Sequence, residues 1–145
     1  MQTLISRIIN QLGSEEFAAF CAENKITLAI LFGSQVRGAA REDSDIDLAI
    51  LLETACYPKS TLDAGKLKRE IARKLYSFLG TSKVDLVFLN RAAPFMRFQV
   101  ARTGKPVFAK SAAEFVQFAS LALRQHEDAR LFYQLESRYL QSELN

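Results

Sequence analysis

The chain has 145 residues, of which 49% are hydrophobic and 24% charged, with a formal net charge of +3 at pH 7. These values predict one globular domain with a sizeable core, and so small a charge does not by itself indicate nucleic-acid binding. No apolar run is long enough to span a bilayer, no secretory signal is visible, and the two cysteines form no metal-type cluster, so we expect a cytoplasmic protein with reduced thiols.

The first half of the chain alternates helical and strand patterns. Apolar residues at helical spacing predict a helix within residues 2–12, and Ser14 before two glutamates predicts the N-cap of a second helix that ends near residue 23. Continuous apolar runs predict strands at 26–32 and 46–52. Between these strands we expect a short helix that begins after Ser34.

The second half of the chain repeats this alternation. Ser60 and Gly80 are typical of the N-cap and the C-terminal end of one helix, and Pro106 suits an edge strand. The predicted elements are, in order, a helix at 61–79, a strand at 83–89, a helix at 91–102, an edge strand at 106–109 and a helix at 111–144. The whole pattern predicts an α/β fold, with a small mixed sheet flanked by helices and a C-terminal helical segment.

The most informative residues lie between the first two strands. Gly33-Ser34 follows the first strand, and after a ten-residue spacer Asp45 and Asp47 open the second. Side chains at i and i+2 of a strand share one face, so the two carboxylates lie side by side and repel each other. A divalent cation relieves that repulsion, and Mg²⁺ suits oxygen ligands together with the phosphates of a nucleotide.

Gly33 and Ser34 are candidates for phosphate binding. Glycine allows the backbone to approach a phosphate closely, and a helix that begins at Ser34 would direct N–H groups towards an anion. The alternative is a plain strand-to-helix turn in which Ser34 is only an N-cap. Arg37 and Arg41 could contact phosphates or form salt bridges with the acids that follow them.

The Gly-Ser dipeptide, its spacer and the Asp-x-Asp pair together resemble the motif of the DNA polymerase β-like nucleotidyltransferases. The chain length resembles their minimal branch (MNT), many of whose members are antitoxins paired with an α-helical HEPN toxin. The resemblance implies a third acid on the strand beside the Asp-x-Asp strand, and Asp85 matches that placement. A strand-end acid that meets Lys83 is the alternative role for Asp85.

The resemblance also implies the chemistry. Asp45, Asp47 and Asp85 would hold two Mg²⁺ ions, Gly33-Ser34 would hold the triphosphate of ATP, and Asp85 would activate the acceptor hydroxyl. The expected reaction transfers AMP to a tyrosine of a HEPN ribonuclease, which silences this toxin partner; we expect neither a membrane nor direct nucleic-acid binding. The rival interpretations are transfer to a small hydroxylated molecule and an antitoxin that acts by binding alone.

Three features lie outside this motif. We expect residues 1–110 to form the catalytic unit and residues 111–145 a helical extension packed on it, within a single domain overall. The aromatic stretch from Phe115 to Tyr139 should cover part of the sheet and leave part for a partner. A basic face from Lys66 to Lys74 is either solvated or a docking surface for an acidic partner or a nucleic acid, and His126 is predicted to be solvent-exposed.

Overall fold

The computed structural model describes residues 3–33 and 45–144. A short 3-10 helix, Thr54–Cys56, is the one element of this part of the chain that the sequence did not predict. The helices and strands are α1 (Leu4–Leu12), α2 (Glu15–Glu23), β1 (Ile26–Phe32), β2 (Ile46–Leu52), α3 (Thr61–Leu79), β3 (Val84–Phe88), α4 (Pro94–Thr103), β4 (Lys105–Ala109) and α5 (Ala112–Leu144).

The four strands form one mixed sheet in the order β3-β2-β1-β4. Strand β1 pairs antiparallel with both β2 and β4, whereas β2 and β3 are parallel. Because a parallel pair needs a long crossover connection, α3 has to lie between β2 and β3 in the sequence. Pro106 lies in the edge strand β4, where a missing N–H costs little. The predicted α/β fold with a small mixed sheet is confirmed.

Helices cover both faces of this sheet. Alternate residues of the strands, such as Leu48 and Ile50, are buried against α1, α2 and α3 in one apolar cluster. The residues between them, such as Ala49, belong to a smaller cluster with Val100 of α4 and Phe118 of α5. Asp47 lies two residues before Ala49 on β2, so both side chains project from the same face of the sheet. The acids therefore lie on the face that α4 and α5 partly cover.

Local sequence signals explain most boundaries. The Ser14 and Ser60 side chains accept hydrogen bonds from the backbone N–H groups of Phe17 and Asp63, which caps α2 and α3. Helix α4 begins at Pro94 rather than at residue 91, because the residue before a proline is driven out of the helical region. The short helix predicted after Ser34 lies outside the described residues.

Helix α5 is longer than the core it covers. It has 33 residues, yet within its described side chains only Phe118 and Ala122 are buried. Leu131 and Leu135 are each more than half exposed. The first part of the helix, around Phe118 and Ala122, therefore belongs to the domain core, as the aromatic pattern predicted. The second part, around Leu131 and Leu135, presents apolar side chains to solvent.

Both cysteines are free: Cys21 is buried and Cys56 is exposed. Burial raises the pKa of the Cys21 thiol to about 12, so this side chain acts as a small apolar group. Within residues 3–33 and 45–144, no helix has both the length and the apolar character that a membrane crossing needs.

Candidate active site

Three carboxylates lie at one end of the sheet. Asp45 directly precedes β2, Asp47 is the second residue of β2, and Asp85 is the second residue of β3. The strand register places Asp47 and Asp85 side by side on neighbouring parallel strands. Because directly paired residues project from the same face, the structure brings together all three acids that the sequence selected.

Burial and neighbouring negative charges both act on Asp47. Its pKa is raised above the usual range, first by partial burial and then by the negative charges of Asp85 and Asp45. No salt bridge joins Asp85 to Lys83 within the described part of the chain. The alternative role for Asp85, a plain ion pair at a strand end, therefore lacks support.

Gly33 is in close contact with this acidic group. Its φ of 86° lies in the left-handed region that favours glycine. Phe32, the residue before it, pairs with Asp47 across the sheet, and a Cβ atom on Gly33 would collide with the Asp47 carboxylate. The glycine is therefore required on two grounds, its backbone conformation and the space that Asp47 occupies.

The remaining predicted phosphate contacts cannot be placed. Ser34, Arg37 and Arg41 lie outside the described residues. The position of Gly33 does fix where the segment after β1 begins, which is directly beside Asp47. A role for Ser34 in phosphate binding stays a prediction.

The donor set of this site fits a hard divalent cation. Asp45 and Asp85 are exposed and Asp47 is half-buried, so oxygen atoms from two strands are available on one open surface. In the described residues, however, no three His, Cys, Asp or Glu side chains are close enough together to hold a metal ion by themselves. A cation bound here would need further ligands, such as the waters and substrate phosphates that Mg²⁺ usually keeps.

The arrangement can support phosphoryl-group chemistry. Such reactions depend mainly on positioning and on neutralising phosphate charge, and clustered carboxylates on a rigid sheet supply a place for the neutralising ions. An acid beside that place can also accept a proton from an attacking hydroxyl. Asp85 is on the exposed side of the group, where an acceptor could reach it.

One prediction about a side chain outside the acidic group is wrong. His126 was expected to be solvent-exposed, but it is half-buried and its ring stacks on Phe98 with centroids 3.8 Å apart and planes 8° from parallel. The polar sequence around His126 hid this contact, because the stacking partner comes from α4 and is distant in sequence. Its partly buried position gives it a packing role between α4 and α5.

Sequence reasoning also missed a pair of arginines. Arg91 lies over the ring of Tyr57, and Arg97 lies over the ring of Phe118. Neither was selected, because an arginine in a helical or loop pattern normally indicates solvated surface. Only the tertiary structure shows that both line one cavity.

The basic face of α3 is solvated along its length. Lys66, Arg69, Arg73 and Lys74 are exposed and lie together with Glu70 on one side of the helix. The one ion pair among them, Lys74 to Glu70, has a nitrogen–oxygen distance of 3.5 Å. Exposed pairs of this kind contribute little stability, and Lys74 also donates a hydrogen bond of 3.4 Å to the Asn24 side chain, so most of the face is solvated rather than packed.

Comparison with known proteins assigns the class. Residues 15–113 match the family described as "Polymerase beta, Nucleotidyltransferase". This chain belongs to that family. Its sequence is 32% identical over 124 residues to the protein adenylyltransferase MntA of Shewanella oneidensis, a match that covers 83% of this chain and 84% of MntA.

Solved structures agree with this assignment. One is a toxin–antitoxin complex with AMP-PNP, with a TM-score of 0.67 and 25% identity over 92% of this chain and 98% of the other. Another is a complex of the tri-AMPylated S. oneidensis HEPN toxin with its MNT antitoxin, with a TM-score of 0.62 and 25% identity over 90% of this chain and 98% of the other. Both the predicted fold and the predicted family, the minimal nucleotidyltransferases, are confirmed.

Proposed function

We propose that this protein is the antitoxin of a HEPN–MNT pair and a protein adenylyltransferase. It transfers AMP from ATP to a tyrosine hydroxyl of a HEPN toxin and thereby silences the toxin. The observation that carries this proposal is the side-by-side placement of Asp47 and Asp85 on parallel strands, with Asp45 close enough for its charge to act on Asp47. The similarity to MntA and to an AMPylated toxin complex supports the choice of acceptor.

In the proposed reaction the tyrosine oxygen attacks the α-phosphorus of ATP. The new oxygen–phosphorus bond forms as the bond to the β-phosphate oxygen breaks, and pyrophosphate leaves with that electron pair. Asp85 accepts the phenolic proton, since it is exposed on the strand next to that of Asp47 and matches the position of the family's third acid. Asp47 is held next to it by the strand register, so the geometry for the transfer is built into the sheet.

Asp45 and Asp47 would hold Mg²⁺, and Asp85 would help to hold a second ion. When bound, these ions neutralise the phosphate charge that otherwise repels the carboxylates. Gly33 would let the backbone approach the triphosphate, and Ser34 would contribute a hydroxyl and an N–H at the start of a helix. The raised pKa of Asp47, caused first by burial and then by the charges of Asp85 and Asp45, is consistent with a place where a cation would be stabilised.

The test is transfer of label from ATP to a HEPN-type protein, which is to be sought first in the reading frame next to the gene of this chain. We expect a mass increase of the toxin by whole AMP units, with the modified tyrosine located by peptide mass spectrometry. The variant Asp45→Asn with Asp47→Asn should transfer nothing while it keeps the circular-dichroism spectrum of the unaltered protein. Full transfer by that variant would overturn the assignment of the acidic group.

The same experiment separates the rival functions. If the toxin is inhibited without any mass increase, and equally by the double variant, the protein is an antitoxin that acts by binding alone. Label recovered on a small hydroxylated molecule rather than on the toxin would indicate the other rival. Loss of toxin inhibition together with loss of transfer in the double variant is the result that supports adenylylation.

A further inference from the structure

A cavity separate from the acidic group lies on the same face of the sheet, at the other end of β2. Its volume is about 610 Å³, within the range of small-molecule sites. Leu51 forms part of its wall and lies four residues beyond Asp47, or about 13 Å along the strand. The cavity is therefore separate from the acidic group, and nothing in the proposed adenylyl transfer uses it.

Arg91 is fixed at the edge of this cavity. Its guanidinium lies 5.2 Å from the centroid of the Tyr57 ring and donates a hydrogen bond of 2.8 Å to the backbone carbonyl of Lys59. The Tyr57 ring is itself packed edge-on against Phe88, with centroids 5.6 Å apart. An arginine held by a ring and a carbonyl loses little freedom when it binds a ligand.

The backbone next to Arg91 is equally constrained. The Asn90 side-chain amide donates to the carbonyl of Leu52 and accepts from the N–H of Leu52, both at 3.0 Å. This pair of hydrogen bonds continues the β2–β3 ladder by one step beyond Phe88. Arg91, the residue after Asn90, is therefore attached to a rigid part of the backbone beside the cavity rather than to a flexible loop.

Arg97 is the second fixed cation. Its guanidinium lies 5.3 Å from the centroid of Phe118 and donates to the carbonyl of Leu89 at 2.9 Å. Its Nε atom is buried without a hydrogen-bond partner, and burial lowers the pKa of the side chain. A partly buried cation of this kind is stabilised by any anion that reaches it.

The charges around the cavity do not balance. Lys59, Arg91 and Arg97 line it against a single acid, Glu114, and within the described part of the chain none of the three cations forms a salt bridge. Two positive charges are thus left for a ligand. A phosphomonoester carries about −1.5 to −2 charges at pH 7, whereas one carboxylate carries only one.

We propose that this cavity binds a small phosphomonoester, with its phosphate between Arg91 and Arg97. Arginine forks match phosphate oxygens bidentately. The apolar walls, which include Leu51 and Leu121, would receive the organic part of the ligand. Because the walls come from the sheet, α4 and α5 together, a bound ligand would also hold α5 against the domain.

The test uses four probes, AMP, ribose 5-phosphate, inorganic phosphate and adenosine, in calorimetric titrations of full-length protein. The protein carries Asp45→Asn and Asp47→Asn, and EDTA is present, so that the metal-dependent nucleotide site cannot contribute. We expect AMP or ribose 5-phosphate to bind with a dissociation constant below about 1 mM, and adenosine to show no binding. Amide shifts of Ala55 and Leu121 in nuclear magnetic resonance spectra should locate the ligand in the cavity.

Substitutions decide whether the arginines carry the binding. Arg91→Gln and Arg97→Gln should each weaken phosphomonoester binding about tenfold or more, since each removes charge-assisted hydrogen bonds. Arg102→Gln is the matched control, because Arg102 is exposed on the same helix as Arg97 and does not line the cavity. If Arg97→Gln fails to fold, Arg91→Gln alone keeps the test decisive.

Three outcomes would overturn the proposal: binding that is equal for AMP and adenosine, binding unchanged by Arg91→Gln, or no binding of any phosphomonoester at 5 mM ligand (about the top of a useful titration range). Stronger binding of inorganic phosphate than of either phosphomonoester would assign the site to the free anion instead. Each outcome is independent of whether the protein modifies a toxin, since neither catalysis nor a partner is involved.

Discussion

Asp47 is partly buried and has the carboxylates of Asp85 and Asp45 as charged neighbours, and its pKa is raised first by that burial and then by the two negative charges. A raised folded-state pKa means that the folded protein holds this proton more tightly than the unfolded chain does, so ionisation of Asp47 destabilises the fold. The destabilisation is absent below the ordinary pKa of 3.8 and fully present above the raised folded-state pKa. A cation that binds beside Asp47 should offset this destabilisation, because its positive charge favours the ionised carboxylate.

We therefore expect Asp47→Asn to raise the thermal midpoint of the metal-free protein at neutral pH. The gain should shrink as the pH falls and vanish near about pH 3, where Asp47 of the unaltered protein is protonated. Thermal melts at several pH values in EDTA measure this difference. Asp128→Asn, an exposed acid on α5, is the control; a gain for Asp47→Asn that does not depend on pH would contradict the electrostatic cause.

Asp85 should act on the acceptor more than on the nucleotide. Because it is the exposed member of the pair on β2 and β3, we expect Asp85→Asn to lower turnover by roughly 10²–10⁴-fold. Mg²⁺-dependent ATP binding, measured by calorimetry, should change by only several-fold. Lys83→Gln, two residues away, should alter neither quantity; equal losses of ATP binding and of turnover in Asp85→Asn would refute this division of roles.

At the scale of elements, α5 has two parts with different duties. Phe118 is 3% exposed in the cluster beneath α4, whereas Leu135 is 54% exposed. Phe118→Ala should cost about 3–5 kcal/mol of folding stability, and Leu135→Ala should change it by less than about 0.5 kcal/mol. Urea unfolding of the two variants gives both values, and a large loss for Leu135→Ala would show that the second part of the helix packs on the domain.

The elements themselves could be predicted well from sequence. Strands β1 and β2 and helix α3 have the bounds that their apolar runs and caps indicate, because these signals are local: Ser60 caps its own helix, and Gly80 adopts the left-handed conformation that ends it. The acidic pair could be predicted for the same reason, since the i, i+2 rule needs only one strand.

The rest depended on contacts between distant residues. The order of the strands and the pairing of Asp47 with Asp85 follow from how the whole sheet assembles. The family resemblance supplied the placement of Asp85 on the neighbouring strand, whereas the strand order was not predicted. The stacking of His126 on Phe98 and the ring contacts of Arg91 and Arg97 had no local signal at all. Polar residues with distant aromatic partners were the positions that the sequence described least well.

At the scale of the whole molecule, two surfaces within residues 3–33 and 45–144 are not explained by the fold itself, the exposed part of α5 and the basic face of α3. We expect the apolar surface to carry the affinity for the HEPN partner, since well-packed apolar anchors dominate interface energies, whereas charged rims mainly change association rates. Leu131→Ala with Leu135→Ala should weaken the complex by roughly 2 kcal/mol or more if both are anchors. The side chain of Phe132, another anchor candidate, is outside the described set.

Affinity measured at two salt concentrations separates the two surfaces. The leucine variant should lose affinity equally at low and high salt, whereas Arg69→Gln with Arg73→Gln on α3 should mainly slow association at low salt. Circular dichroism excludes unfolding as the cause. An unchanged affinity in the folded leucine variant would move the partner surface to the basic face.

The pairing of Asp47 with Asp85 also bears on how distant relatives can be recognised. Strand side chains alternate, so a shift of β3 by one residue would turn Asp85 towards the apolar face, while a shift by two would keep its direction. The connection through α3 can gain or lose helical turns without changing that parity. Asp45 and Asp47 can therefore be recognised in a sequence by their fixed spacing. Asp85 can be recognised only because it lies on a strand at a position whose side chain faces the other acids, and a search for fixed spacings will miss it.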